Sequence, residues 1–394
     1  METAQIANVK MDNVAVIIYP RVGNNASRIL KQANFLTDKN IAKRVLILSM
    51  FHDDRLQQLE NISDFITIKR IKTKTYHLPK NALGDTIKFI EFFFKCIRII
   101  RSVKPVFVIP HSLSVLPIGV FSKTLRKRKV IYDAHELETE RNNLHGVRKQ
   151  LSQFVERRLI KYCDKVIVVN TAIEDWYKKT YKIKNVFSIP NFPVNPYLGR
   201  LAPKTSTLRD EFKIPEESIV FIYQGILSKA RGIEELLSIF KKTGLPKDRV
   251  IIFMGMGDME DEVKKASEEY EQIFFKPAVL PGEIIENTSS ADVGIFIIPD
   301  NSSLSYQLSL PNKFMEYSIA GLYICVNDKL KVMKELIHKN YLGTVVGSTK
   351  EEIENFIRSV TKEEIKKKYL LSTEYRKKID WSLNYHTLLE VFNN

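Results

Sequence analysis

The sequence is poor in cysteine, and its three, Cys96, Cys163 and Cys325, lie far apart. They offer neither a disulfide framework nor CxxC metal spacing, which fits a reducing cytoplasm. Also absent is the run of about 20 uncharged apolar residues that a membrane-spanning helix needs. The Phe-rich segment 87–101 is broken by Glu91, Lys95, Arg98 and Arg101, so a soluble protein, or one peripheral on the inner face of the membrane, is expected. The start carries Glu2 and Asp12, and its one apolar run, Val14 to Tyr19, is too short and badly flanked for a signal peptide. That run predicts a first strand. No GxGxxG follows it, and Gly255-Met256-Gly257 is too short a signal to name a dinucleotide site. No persuasive metal-binding DxD motif is found either: Asp53-Asp54 and Asp258 to Asp261 read as solvated loop or helix-start acids. No metal and no cofactor is expected.

What is present is length enough for two domains, with 394 residues and 44% hydrophobic content. The net charge of +15 is uneven: residues 1–200 hold 35 Lys and Arg against 17 Asp and Glu, an excess of 18, leaving 26 against 29 for the rest. An anionic partner for the first half is implied, whether phosphate-rich acceptor, membrane surface or nucleic acid. Short β-branched runs recur between helical stretches at Val14 to Tyr19, Val45 to Leu48, Ile66 to Ile71, Val106 to Ile109, Val130 to Tyr132, Val166 to Val169 and Val186 to Ile189. A second series runs through Ile219 to Tyr223, Val250 to Met254, Ile273 to Phe275, Val293 to Ile297 and Leu322 to Val326. Alternation of this kind predicts two doubly wound α/β domains. Pro190, Pro193, Pro196 and Pro203 mark an extended crossover, placing the boundary near residue 200. Ligands of open α/β sheets bind beyond the carboxyl ends of strands, so a cleft between facing sheets is expected.

Two segments carry chemistry in the second half. Tyr223-Gln224-Gly225-Ile226-Leu227-Ser228-Lys229-Ala230-Arg231-Gly232-Ile233-Glu234-Glu235 reads as a strand, a turn bearing cations and a helix start. Backbone N–H groups and a guanidinium there suit a diphosphate, although an ordinary βα turn with exposed cations has the same pattern. Leu310-Pro311-Asn312-Lys313-Phe314-Met315-Glu316-Tyr317-Ser318-Ile319-Ala320-Gly321 puts a carboxylate one turn into a helix. Such a group can accept hydrogen bonds from vicinal ribose hydroxyls or simply complement the helix dipole. In the first half, Val130-Ile131-Tyr132-Asp133-Ala134-His135-Glu136 is a strand running out into a His beside carboxylates. His111, also at a strand end, is divided between pocket and structural roles.

In this order and spacing the segments, with Ile189-Pro190-Asn191 at the domain junction, Ala291-Asp292-Val293-Gly294 on the penultimate strand and the Trp381 tail, resemble the retaining GT-B glycosyltransferases of family 4 over nearly the whole chain. The resemblance implies two Rossmann-like domains facing across a cleft. Residues 1–200, joined by a C-terminal helix at about 377–394, would form the acceptor side, and residues 201–376 the nucleotide-sugar side. It further implies transfer of a sugar from a nucleotide diphosphate sugar to a glycan or lipid-linked acceptor, with retention of anomeric configuration. By position, Arg231 holds the donor diphosphate with Gly225 at the turn below it and Lys229 as helper. Glu316 matches the second carboxylate of the E-x7-E motif, on the ribose. Where the first carboxylate is expected stands Leu308, so donor contacts pass to Gln307 or to the run Leu308, Ser309, Leu310, Pro311, Asn312 and Lys313. The loop Lys276 to Pro281, with Val279, takes the place where backbone groups hold the base. Gly23 and Asn25 match the loop near the donor phosphates, with Arg28 opening the next helix, and His135 matches the histidine at the reaction centre.

Two other classes stay open. A GT-B-fold sugar-nucleotide epimerase would convert the nucleotide sugar alone, without an acceptor. A non-catalytic nucleic-acid-binding protein would draw on the basic half, but no nucleic-acid-binding fold or aromatic RNA motif accompanies it, and none is expected as a partner. The positive charge suggests instead docking on anionic membrane, through Lys69, Arg70, Lys72 and Lys74 and through Lys123, Arg126, Lys127, Arg128 and Lys129. Between them a helix over 87–103 has apolar positions exceeding one narrow face.

Overall fold

The computed structural model describes residues 13–22, 27–79, 81–142, 144–229 and 231–393. The chain divides into two compact units, one of residues up to Pro190 with those from Asn384 onward, the other Asn191–Leu383.

The first unit holds β1 (Val14–Tyr19), β2 (Arg44–Met50), β3 (Leu59–Asn61), β4 (Ile66–Ile71), β5 (Phe107–Pro110), β6 (Lys129–Asp133), β7 (Lys165–Val168) and β8 (Val186–Ser188). Their order is β3-β4-β2-β1-β5-β6-β7-β8. All neighbours run parallel except β3, which pairs antiparallel with β4 at the edge. Val14 to Ile18 of β1 are fully buried, as expected of a central strand covered on both faces. The helix Ala82–Val103 starts at Asn81, whose side chain accepts from the Gly84 N–H. Its Phe92, Cys96, Ile100 and Val103 enter the core at helical spacing. Leu83, Ile87, Ile90 and Phe94 form a second stripe that is exposed.

The second unit holds β9 (Ile219–Ile226), β10 (Arg249–Met256), β11 (Ile273–Pro277), β12 (Val293–Phe296), β13 (Tyr323–Asn327) and β14 (Gly343–Val346). The order β11-β10-β9-β12-β13-β14 is parallel throughout. Both sheets are thus doubly wound, and the strand order reverses between β1 and β5 in one and between β9 and β12 in the other. Ligand sites of such sheets lie at the carboxyl ends of those strands.

The division falls at Pro190, ten residues before the expected 200, and the returning segment begins at Asn384 instead of about 377. The reason is hydrogen bonding. The Asn195 N–H donates to Asp380 (2.8 Å), the Asn195 amide to the Ile379 carbonyl (2.9 Å), and the Trp381 N–H to the Pro193 carbonyl (3.0 Å). Residues 193–195 and 379–381 therefore close the second unit together. Past Asn384, the helix Tyr385–Phe392 joins the first unit, with Tyr385 5.2 Å from Phe35 and Phe392 5.5 Å from Phe107 between ring centroids. Among the described residues, no helix is long and apolar enough to cross a membrane.

Candidate active site

In the second unit the expected donor residues gather at the carboxyl end of β9. The helix Asn312–Ile319 is fixed to β9 by Tyr317, whose hydroxyl donates to the Ile222 carbonyl (3.1 Å) and accepts from the Gln224 N–H (3.0 Å). Glu316 and Lys313 of that helix then face the strand end. The Gln224 amide donates to the Glu316 carboxylate and its carbonyl accepts from Thr288 (2.6 Å), which aims the carboxylate. Asn312 accepts from the Asn191 amide at 2.8 Å, so the junction motif supports the helix start. Lys313 is buried, with its Nζ 3.7 Å from the Tyr223 ring centroid and 4.5 Å from that of Phe296.

Gly225 sits at φ +110°, which side chains rarely adopt, and a Cβ there would only touch Lys313 Cε, at 3.5 Å. The Lys313 Nζ is buried with no hydrogen-bond partner. Burial, then the neighbouring Arg231 charge, pushes its pKa well below the usual lysine range, with Glu316 opposing. Arg231 stacks over Tyr306, 5.4 Å to the ring centroid, and its buried Nε also lacks a partner. Gly232 follows at φ +78°, pressed against Ile297, where a Cβ would come within 2.4 Å. The helix Ile233–Phe240 begins there. Arg231, Lys313, two helix starts and one aimed carboxylate thus share the end of β9.

The other expected donor positions spread more widely. Lys229 is exposed on the loop, and Val279 is partly buried against the core. Leu308 closes the short helix Leu304–Gln307, its N–H donating to the Leu304 carbonyl. The Gln307 amide is committed to the Ser302 carbonyl at 3.0 Å, and Ser309 donates to Tyr306 at 2.8 Å. Leu310 packs on the core and Pro311 precedes the next helix. Gly23 and Asn25 lie outside the described residues.

In the first unit His135 and His111 meet at the ends of β6 and β5, His135 Nε2 lying 2.8 Å from His111 Nδ1. Tyr19, ending β1, stacks on His135 at 5.3 Å and 23°. Below them Asp133 is fully buried. It accepts from Arg28 Nε (3.1 Å) and Nη2 (2.9 Å) and from the Gln32 amide (3.1 Å). His111 Nε2 lies 2.8 Å from Gln32 Oε1, and Arg28 also donates to the Ile189 carbonyl at 2.8 Å. Burial opposes the Asp133 charge, but Arg28 and the two histidines more than offset it and hold the carboxyl at about 2. Burial depresses His111 to about 4, against Asp133 and with Arg28, and His135 to about 3, with His111, Arg28 and Arg141 adding to the effect. Both rings are neutral near pH 7. His111, Asp133 and His135 offer one ligand atom each within 4.8 Å of one another, yet the Asp133 carboxylate is already engaged by a guanidinium.

Arg28 was expected only to open a helix; burial turns it into the counter-charge of Asp133. The basic cluster at 69–74 is also corrected. Arg70 is 1% exposed, donates to the Val22 and Gln57 carbonyls and pairs with Glu60 at 2.7 Å. In the second cluster Arg128 is buried and Lys123 pairs with Asp164 at 2.7 Å. Gln32, Asp133, Gln224 and Tyr306 were missed as site residues. Asp133 carried a signal, a carboxylate ending an apolar strand; the others did not.

Residues 33–192 match Glycosyltransferase Family 4, and residues 204–378 match Glycosyl transferases group 1. Together the two matches show a family 4-like glycosyltransferase. An uncharacterized glycosyltransferase of Methanocaldococcus jannaschii is 27% identical over 207 residues, 47% of this chain and 48% of the relative. The chain thus spans about half the length of the curated relative it matches. Among solved structures, Anabaena HepE in complex with UDP and glucose superposes with a TM-score of 0.71 at 13% identity, covering 96% of this chain and 99% of that one. Thermosynechococcus elongatus sucrose-phosphate synthase gives 0.71 at 13% identity over 97% and 95% of the two chains. WaaG, a glycosyltransferase involved in lipopolysaccharide biosynthesis, gives 0.70 at 12% identity over 97% and 100%. These likenesses establish the GT-B fold of the glycosyltransferase.

Proposed function

We propose that this glycosyltransferase moves a sugar from a nucleoside diphosphate sugar to a hydroxyl of a glycan or lipid-phosphate-linked acceptor, with retention of anomeric configuration. The observation that carries the reading is Arg231 and Lys313, each with a buried side-chain nitrogen that lacks a hydrogen-bond partner, beside Glu316 at the end of β9. Departure of a sugar builds negative charge on the diphosphate, and preorganised cations at that point stabilise the transition state by several kcal/mol, on the order of 3. The first-turn N–H groups of Asn312–Ile319 add to the same potential. Glu316, held by Gln224, takes the ribose hydroxyls. The UDP and glucose bound by HepE support a nucleotide sugar as donor. With Arg231 and a Lys313 recharged by the diphosphate, the reaction is expected to need no metal, so turnover should survive a chelator.

Membrane docking belongs to the same reading, on a surface that keeps Arg126 and Lys127 of the charge runs and adds exposed apolar stripes. The helix Gly146–Leu159 exposes Val147, Leu151 and Phe154 at i, i+4 and i+7, together with Arg148, Arg157 and Arg158. Phe121 and Leu125 of the helix Leu116–Leu125 and the stripe from Leu83 to Phe94 are exposed beside Arg98, Arg101, Arg126 and Lys127. Apolar stripes flanked by arginines suit an anionic bilayer, each cation contributing about 1 kcal/mol. Co-sedimentation should show binding to anionic but not neutral vesicles, lost in Leu151→Glu with Phe154→Glu.

The donor reading is tested by a panel of UDP, GDP and ADP sugars. One class should protect the protein against thermal unfolding, since a ligand of the folded state raises apparent stability. Protection by none of them would remove the assignment.

A further inference from the structure

We propose that Gln32 is a positioning residue that locks His135 as its Nε2–H tautomer, leaving Nδ1 as a lone pair that accepts only from a donor such as a sugar or acceptor hydroxyl. The polarity is read from one end of a chain of hydrogen bonds. Asp133 is ionised, paired with Arg28, and can only accept. The Gln32 group 3.1 Å from it is therefore the NH2, which donates. Gln32 Oε1 must then point at His111, and at 2.8 Å it accepts from His111 Nε2–H. A neutral imidazole carries one proton, so His111 Nδ1 is a lone pair. It lies 3.7 Å from Asp133, beyond hydrogen-bond range, and 2.8 Å from His135 Nε2. His135 must donate there from Nε2–H, and its Nδ1 is left without a proton.

Burial keeps both rings neutral, so the tautomer is the variable that matters. Tyr19 stacks flat on His135 and holds the ring plane. His135 is partly exposed, and its Nδ1 has no hydrogen-bond partner among the described residues. The Gln32 amide also ends the chain, because an amide oxygen that accepts a hydrogen bond does not pass the proton on to Asp133. His135 is thereby a fixed acceptor that orients a hydroxyl and does not feed a proton wire.

The inference rests on the glycosyltransferase reading for its substrate class, but its test uses no substrate. Histidine-selective 15N labelling with two-bond 1H–15N correlation reports the tautomer of each ring in the wild-type chain, with the two rings assigned by His111→Gln and His135→Ala. Both should be Nε2–H. Gln32→Leu removes the acceptor and should shift both rings toward a mixture of tautomers. A wild-type His135 protonated at Nδ1, or tautomers unchanged in Gln32→Leu, would overturn the proposal. Should the variants fail to fold, the wild-type spectrum alone decides the polarity. Failure of the nucleotide-sugar panel would leave this spectrum unaffected, so the two readings fail separately.

Discussion

Replacing Lys313 with Met should make the ligand-free protein more stable while removing its affinity for the donor. The buried Nζ has no hydrogen-bond partner, and an unsatisfied buried donor costs about 1–3 kcal/mol. Against this, any cation–π attraction to Tyr223 and Phe296 is worth about 0.5–2 kcal/mol. Burial and Arg231 drive the lysine toward its neutral form, in which that attraction is small. Met fills nearly the same volume without a polar atom, so the net gain is about 1 kcal/mol. For a unit of this size that corresponds to a rise of about 2–4 °C in Tm. A diphosphate would restore the charge on Lys313, so donor binding should take up a proton and weaken as pH rises, an effect absent from the variant. Scanning calorimetry of the apo forms, followed by titration calorimetry in buffers of different ionisation enthalpy, measures both. A variant less stable than wild type by 1 kcal/mol or more, or one that binds nucleotide sugar as wild type does, would contradict this role for Lys313.

Three further outcomes are expected. Arg231→Ala and Glu316→Gln should each lower turnover about 10²-fold with Tm near wild type, in a steady-state assay paired with a melting curve. His111 takes its proton at about 4 when folded and near 6.5 when unfolded. Its contribution is therefore complete above pH 6.5 and is lost as pH falls toward 4, at about 1.4 kcal/mol per pH unit, and urea titrations should show a shallower acid slope in His111→Gln. Gly232→Ala places a Cβ 2.4 Å from Ile297 Cγ1 at φ +78°. It should cost about 1–3 kcal/mol, read as a lower urea midpoint.

Most strands were legible because parallel strands buried on both faces are continuous β-branched runs, as in Val14–Tyr19 and Ile219–Ile226. Leu59–Asn61 was not, since an edge strand of mixed polarity carries no such run. The placement of Arg231 and Glu316 at the end of β9 was legible because both stand near helix starts. The burial of Lys313 was not, because lysine defaults to the surface and its aromatic box comes from two different strands. Arg28 and Asp133 stand 105 residues apart, and no local pattern announces the pair. Arg70 was misread although a signal existed: it shares the buried face of β4 with Ile66 and Ile68 at period two.

On the proposed reading, Arg231 and Lys313 at the end of β9 hold a nucleoside diphosphate whose sugar is transferred to an acceptor. The most direct measurement follows the nucleotide product by chromatography after wild-type protein meets its protecting nucleotide sugar with and without acceptor-bearing membrane extract. Acceptor-dependent release of free nucleoside diphosphate is expected, slowed about 10²-fold in Arg231→Ala. An intact nucleotide sugar whose sugar is epimerised, with or without extract, would contradict it.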